Sequence, residues 1–130
     1  MHKWAFAIIA LAGLAGAAGV IAAAEVAHGV SDPMLQTASN FLLFHAAVAI
    51  AIAAVALASP RHMAWFLTAA SLLLAGCGLF CGDLAFHALN GARLFPMAAP
   101  IGGMFLIGGW VMVVLAALIA LVRRSHRAHS

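Results

Sequence analysis

Charge is what this sequence has least of. Nine of its 130 residues carry a formal charge, three acidic and six basic, while 67% are apolar. A soluble domain of this size carries about a quarter charged residues, so the balance excludes an ordinary globular enzyme, a disordered tail and a nucleic-acid-binding module. The two cysteines, Cys77 and Cys81, form no Cys-x-x-Cys pair, and neither a Cys-x-x-Cys-His haem attachment nor a His-Glu-x-x-His metal run is present. No nucleophile sits beside a base, no loop follows the phosphate-cradling pattern, and no two acids stand at a catalytic spacing. The sequence is that of an integral membrane protein without an enzyme signature.

What is abundant is uncharged apolar length. Trp4 to Ala24, Phe41 to Ala58, Met63 to Gly82 and Met97 to Val122 run for 21, 18, 20 and 26 residues. At about 1.5 Å per helical residue against a hydrocarbon core about 30 Å thick, each spans or, for the second, nearly spans a membrane. The connections 25–40, 59–62 and 83–96 are too short to fold separately. An all-α, four-helix membrane bundle forming one domain over residues 1–130 is expected. The first stretch also imitates a signal peptide, with His2 and Lys3 before it and Ala22-Ala23-Ala24 before Glu25. Its 21 residues exceed the usual ~7–15 of a cleaved hydrophobic region, so it reads as a helix.

Four spans put the N-terminus, the 59–62 turn and the C-terminus on one side. That side holds Lys3, Arg61, Arg123, Arg124 and Arg127, against Arg93 alone on the other. The bias predicts both termini in the cytoplasm. The basic tail from Arg123 to His129 reads as a topology anchor resting on anionic headgroups.

The remaining polar residues then sort to the opposite side. Glu25, His28, Asp32, Gln36, Asn40, Asp83, His87 and Asn90 fall in the outer connections or the helix ends that enter them. His45 lies just inside the second span, about 8 Å below the outer surface by helical rise. Glu25 and His28 are three apart, Asp83 and His87 four apart, so each pair shares a face if its helix extends that far. Converged at the outer mouth, Glu25, His28, His45, Asp83 and His87 would offer a transition-metal site, and two histidines from facing helices a haem site. The plainer reading of the acids and of His28 and His87 is capping or contact with interfacial water. His45, ionisable within a span, reads either as inter-helix hydrogen-bonding glue or as a ligand or proton site.

Cys77 and Cys81 share a helix face at a spacing that opposes a disulfide, and read as small packing residues rather than a redox or soft-metal pair. Met34, Met63, Met97, Met104 and Met112 form no Met-x-x-Met relay. Gly13, Gly16 and Gly19, the Gly-x-x-x-Gly of Gly78 and Gly82, and Gly102, Gly103, Gly108 and Gly109 predict close helix approach within one chain or between chains. Pro96 and Pro100 suit a first helical turn, with a kink at Pro100 as the alternative. Trp4 and Trp65 read as interface anchors, whereas mid-span Trp110 packs inside.

Ala27-His28-Gly29-Val30, Phe44-His45, Leu79-Phe80-Cys81-Gly82-Asp83-Leu84 with Ala88-Leu89, and Pro100-Ile101-Gly102-Gly103 through Gly109-Trp110 resemble the YgdD-like small inner-membrane proteins, domain of unknown function family 423. The resemblance covers nearly the whole chain in order. It implies a four-helix protein of a bacterial inner membrane and no established activity. His28 and His45 match that pattern. Cys81-Gly82-Asp83 stands where the family usually shows Ser-Gly-Ser, His87 where it tends to be apolar, and Glu25 where it is typically aromatic. A metal site using all five would therefore be peculiar to this chain.

Two classes of function follow. The first is a non-catalytic structural, accessory or lipid-interacting bundle, surrounded by membrane lipid and associating as a homo-oligomer or within a larger membrane complex. The second is a metal- or haem-binding or transporting protein using the outer-mouth residues. Proton-coupled drug export is discounted, because it calls for a carboxylate deep in the first span and Glu25 lies at its outer end.

Overall fold

The computed structural model describes residues 1–29 and 31–128, with side chains as far as Arg123, so the basic tail from Arg124 to His129 lies outside the described side chains. Four helices follow one another: α1 (His2–Ala27), α2 (Pro33–Ala58), α3 (Met63–Asn90) and α4 (Ala98–Ala128). No strand occurs among the described residues. Each helix has a window long and apolar enough to cross a membrane. At about 1.5 Å per residue they measure about 39 to 46 Å, so every one outruns the hydrocarbon core.

Local chemistry sets the boundaries. After α1, Gly29 takes a left-handed φ of 121°. Asp32 then caps α2, its carboxylate accepting from the Met34 amide at 2.7 Å, while Pro33 occupies a first-turn position where no amide hydrogen is needed. The second helix stops at Ala58, two residues before Pro60. Gly91, at φ 70°, closes α3 by donating its amide to the His87 carbonyl at 2.8 Å. Pro100 is the third residue of α4, within the first turn.

The helices are longer than the uncharged stretches, and one extension changes the picture. The second begins at Pro33, not near Phe41, because Gln36, Thr37 and Asn40 are polar without being helix breakers; Gln36 even donates to Asn40 one turn on, at 3.1 Å. His45 is thereby the thirteenth of 26 residues in α2, about 18 Å along its axis. His45 is therefore a mid-helix residue of α2, with three helical turns before it.

Helix α1 packs on α2, α2 on α3 and α3 on α4, with α1 also reaching α3. Among the described residues no Cα of α4 comes within 8 Å of α1 or α2. The core lies among the first three helices, with Ala5, Ile8, Ala12, Ala38, Ala49, Ala53, Leu67, Ala70 and Leu73 buried. Among its described side chains, helix α4 buries only a stripe of Ala98, Gly102, Leu106, Gly109 and Ala116 at three-, four- and seven-residue spacing, and turns its larger apolar side chains outward toward lipid.

Small residues make these seams, although not all of the expected ones. Gly16 lies 3.6 Å from Ala46 measured from an added Cβ, and Gly19 is pressed against Leu43 and Leu42. Ser39, fully buried, donates to the Gly19 carbonyl at 2.9 Å and ties α2 to α1. On α3 the close contact is at Gly76, not at the Gly78 and Gly82 pair. An added Cβ at Gly78 meets nothing within 4 Å, and one at Gly82 meets only the Leu94 side chain at 3.7 Å.

Candidate functional site

The polar centre of the protein is His45. Only 5% exposed, it sits in a region where an unpartnered imidazole would be costly, and both ring nitrogens are engaged. Nδ1 lies 2.9 Å from the Phe41 carbonyl one turn earlier, so it carries the proton and donates. Nε2 is then the acceptor, and Trp110 Nε1 donates to it at 3.3 Å from α4. That bond crosses the space between two helices whose backbones do not meet.

Aromatic rings surround the pair. His45 lies 5.4 Å from the Phe41 ring and 5.3 Å from the Phe44 ring, centroid to centroid, with Trp110 6.0 Å away on the far side. Phe41 also meets Phe80 of α3 at 5.1 Å, and Phe44 meets Trp110 at 6.2 Å. Such spacings fall in the range where offset and edge contacts between rings are favourable. Since α4 docks on α3 alone, the rings do not close the interval between α2 and α4. A lateral cavity of about 710 Å³ opens there, bounded by Asn40 at its outer end, by Phe41, Phe44 and Phe80 on one side, by Gly103, Leu106 and Ile107 of α4 on the other, and by His45 and Trp110.

Behind His45 stand the two thiols. Cys77 and Cys81 are free, nearly fully buried and 3.6 Å apart at sulfur, and Cys77 Sγ shares the Phe41 carbonyl with His45 at 3.5 Å. They fill the α2–α3 contact as small side chains whose weak hydrogen bonds have partners.

The other candidate residues are dispersed. Glu25 and His28 are exposed at the end of α1. Asp83 is 3% exposed, and its Oδ1 accepts from the Leu94 amide at 2.9 Å, bracing the α3–α4 connection against α3. His87 is half-buried in the last turn of α3, where its carbonyl helps close the helix. Among the described residues no group of three or more His, Cys, Asp and Glu side chains is arranged to hold a metal ion. Of the five outer-mouth candidates, only His45 lines the cavity.

Three participants carry no mark of a site in the sequence. The Phe41 carbonyl and the Phe80 ring leave no trace in residue type, and Asn40 is one polar residue among many. Trp110, expected to pack inside, is instead 39% exposed: its ring borders the cavity and only its Nε1 reaches in to His45, and that donor is the available signal. Trp4 is more than an interface anchor, since its Nε1 donates to Ser71 of α3 at 3.0 Å.

The comparisons with known proteins agree with this architecture. A family model described as "Protein of unknown function (DUF423)" matches residues 15–103, which include every wall of the cavity except the far part of α4. The chain is 30% identical over 104 residues to the UPF0382 inner membrane protein YgdD of Escherichia coli (strain K12), covering 79% of this chain and 77% of that one. It is 29% identical over 99 residues to a UPF0382 membrane protein of Staphylococcus epidermidis, covering 71% and 79%. A UPF0382 membrane protein of Staphylococcus haemolyticus is 30% identical over 97 residues, covering 69% and 77%. No solved structure matches the chain. Four spanning helices, a family model over more than half of the length and inner-membrane relatives aligned along most of it lead to one assignment: the chain is a multi-pass bacterial inner-membrane protein belonging to the DUF423 family.

Proposed function

We propose that this protein is a non-catalytic, lipid-interacting bundle of the inner membrane, with both termini cytoplasmic and His45 acting as the tie between α2 and α4. One observation carries the reading: both nitrogens of His45 are spent inside the chain, one on the Phe41 carbonyl and one on Trp110. A ligating or proton-carrying histidine keeps a nitrogen for its ligand. The orientation is supported by Lys3, Arg61 and the tail arginines standing opposite Arg93. Association with a second copy or a larger membrane complex is the accessory form of the same reading. It is supported by Gly13, Gly78 and Gly108, where an added Cβ meets nothing within 4 Å, leaving small-residue positions open to another helix.

Metal or haem binding by Glu25, His28, His45, Asp83 and His87 is the competing reading. The test is purification of the full chain in detergent without chelator or histidine tag, followed by its ultraviolet-visible spectrum and metal content per chain. A colourless, metal-free, folded protein whose His45→Asn variant melts within a few degrees of the original is the expected result. A stoichiometric metal or Soret band that disappears with His45→Asn overturns the tie reading.

A further inference from the structure

We propose that the lateral cavity between α2 and α4 binds a planar, membrane-dissolved lipophile carrying two ring carbonyls, that is, a quinone. The proposal rests on the lipid-interacting reading and names the ligand class for its central site.

Position supplies the first argument. The cavity holds about 710 Å³ and opens sideways between two helices that do not pack on each other, at the depth of mid-helix residues His45 and Trp110. Its occupant enters from the hydrocarbon and not from water. A species dissolved in the bilayer interior meets that description, whereas a free ion or hydrophilic metabolite does not.

Wall chemistry supplies the second. Leu106 and Ile107 of α4 supply the aliphatic part of the wall, which suits an alkyl tail, while Phe41, Phe44, Phe80 and Trp110 supply rings that an acyl chain does not need. The two ring pairs at the rim, Phe41 with Phe80 at 5.1 Å and Phe44 with Trp110 at 6.2 Å, present aromatic faces and edges to a third ring. Electron-poor planar rings are the partners such surfaces favour.

Two hydrogen-bond donors supply the third. Asn40 bounds the outer end, and its carbonyl already accepts from Gln36 Nε2 at 3.1 Å, which leaves its amide hydrogens to donate. Trp110 Nε1–H bounds the inner end, in a bond to His45 of 3.3 Å, longer than the about 2.9–3.0 Å of a strong one. Asn40 precedes His45 by five residues, about 7.5 Å along α2. Two donors separated along an aromatic slot suit a ring with acceptors at opposite ends. One carbonyl takes the Asn40 amide and the other shares the Trp110 hydrogen with His45. A phospholipid tail offers no acceptor at this depth.

The test uses the full chain with Trp4→Phe and Trp65→Phe, so that Trp110 is the remaining tryptophan, reconstituted in phosphatidylcholine vesicles and titrated with decylubiquinone. Trp110 fluorescence is expected to quench saturably, above the linear collisional background. Gly103→Leu fills the cavity, because an added Cβ at Gly103 meets nothing within 4 Å, and is expected to remove the saturable part while helical circular dichroism stays unchanged. Asn40→Leu is expected to weaken binding by roughly fivefold, as the loss of one hydrogen bond does. 1-Decanol, an alkyl tail without the ring, is expected not to compete. Labelled decylubiquinone retained per chain, compared between the original protein and Gly103→Leu, measures the same binding without the tryptophan changes. Purely linear quenching, identical in Gly103→Leu, overturns the site. Competition by 1-decanol as strong as by the quinone overturns the ligand class and leaves the lipid-interacting reading standing. That reading fails separately, by the loss of a bound metal or haem in His45→Asn.

Discussion

Gly76 and Gly102 meet backbone to backbone. A Cβ added to Gly76 would lie 2.8 Å from the Gly102 carbonyl oxygen, and one added to Gly102 would lie 2.9 Å from the Gly76 carbonyl oxygen and 2.5 Å from the Phe80 amide nitrogen. No flexible side chain is there to yield. With lipid as solvent, close packing of this kind supplies much of the attraction between helices, and among the described residues the backbone of α4 packs on α3 alone. Gly102→Ala should therefore force α4 away from α3 and cost about 1–3 kcal/mol. Gly103→Ala, one residue on and facing open space, should be nearly silent. Thermal melts in detergent monitored by circular dichroism compare the two. Equal melting temperatures would contradict the seam.

A second prediction concerns Asp83, a metal-ligand candidate by residue type alone. Its carboxylate is buried and accepts the Leu94 amide at 2.9 Å, eleven residues away. Asp83→Ala should leave that amide without its partner and cost about 1–3 kcal/mol, whereas Asp83→Asn keeps a carbonyl acceptor and should lose less. Hydrogen exchange at Leu94 reads the difference directly. Protection there that is unchanged in Asp83→Ala would show that the brace contributes nothing.

The four spans are legible because charge is nearly absent from them, and His45 and Trp110 stand out as polar side chains at unusual places. The start of α2 is harder. Gln36, Thr37 and Asn40 look like loop residues by polarity, while the boundary is set by Asp32 and Pro33. Starting the helix at Phe41 moves His45 from the middle of α2 to its second turn, and with it the expected site. Asp83 and Glu25 are alike in sequence, yet one is buried against a backbone amide and the other exposed. Only tertiary packing separates them. Gly76 is silent in sequence for the same reason: no Gly-x-x-x-Gly marks it, and its importance depends on where α4 lands.

Backbone conformation at the α3–α4 connection yields a third prediction. Met97 has φ 74°, a left-handed value that L side chains with a Cβ adopt only at a cost, and its side chain is exposed. Met97→Gly should stabilise the protein by up to about 1 kcal/mol, the relief of strain exceeding the extra chain entropy of glycine. Gly91, at φ 70° where α3 ends, should respond in the opposite sense, Gly91→Ala costing about 1 kcal/mol. Melting temperatures of the two variants should move apart. A drop in both would mean that the Met97 side chain contributes more than its backbone costs.

The bond between Trp110 and His45 is best measured by a double-mutant cycle. Trp110→Phe removes the donor and keeps a ring, so it leaves His45 Nε2 buried without a partner. His45→Phe removes the acceptor, and combining the two restores an apolar pair in which no polar atom is stranded. Because an unmet buried acceptor costs more than a hydrogen bond contributes, each single change should destabilise by about 1–3 kcal/mol and the double change by less than their sum. A coupling of about 0.5–1.5 kcal/mol is expected, in the range of hydrogen bonds between membrane helices. Since no Cα of α4 comes within 8 Å of α2 among the described residues, the cycle also isolates what this side-chain tie contributes apart from the α3 seam. Strictly additive effects would mean that α4 is held by Gly76, Gly102 and Gly109 alone, and that Trp110 faces the cavity for another purpose.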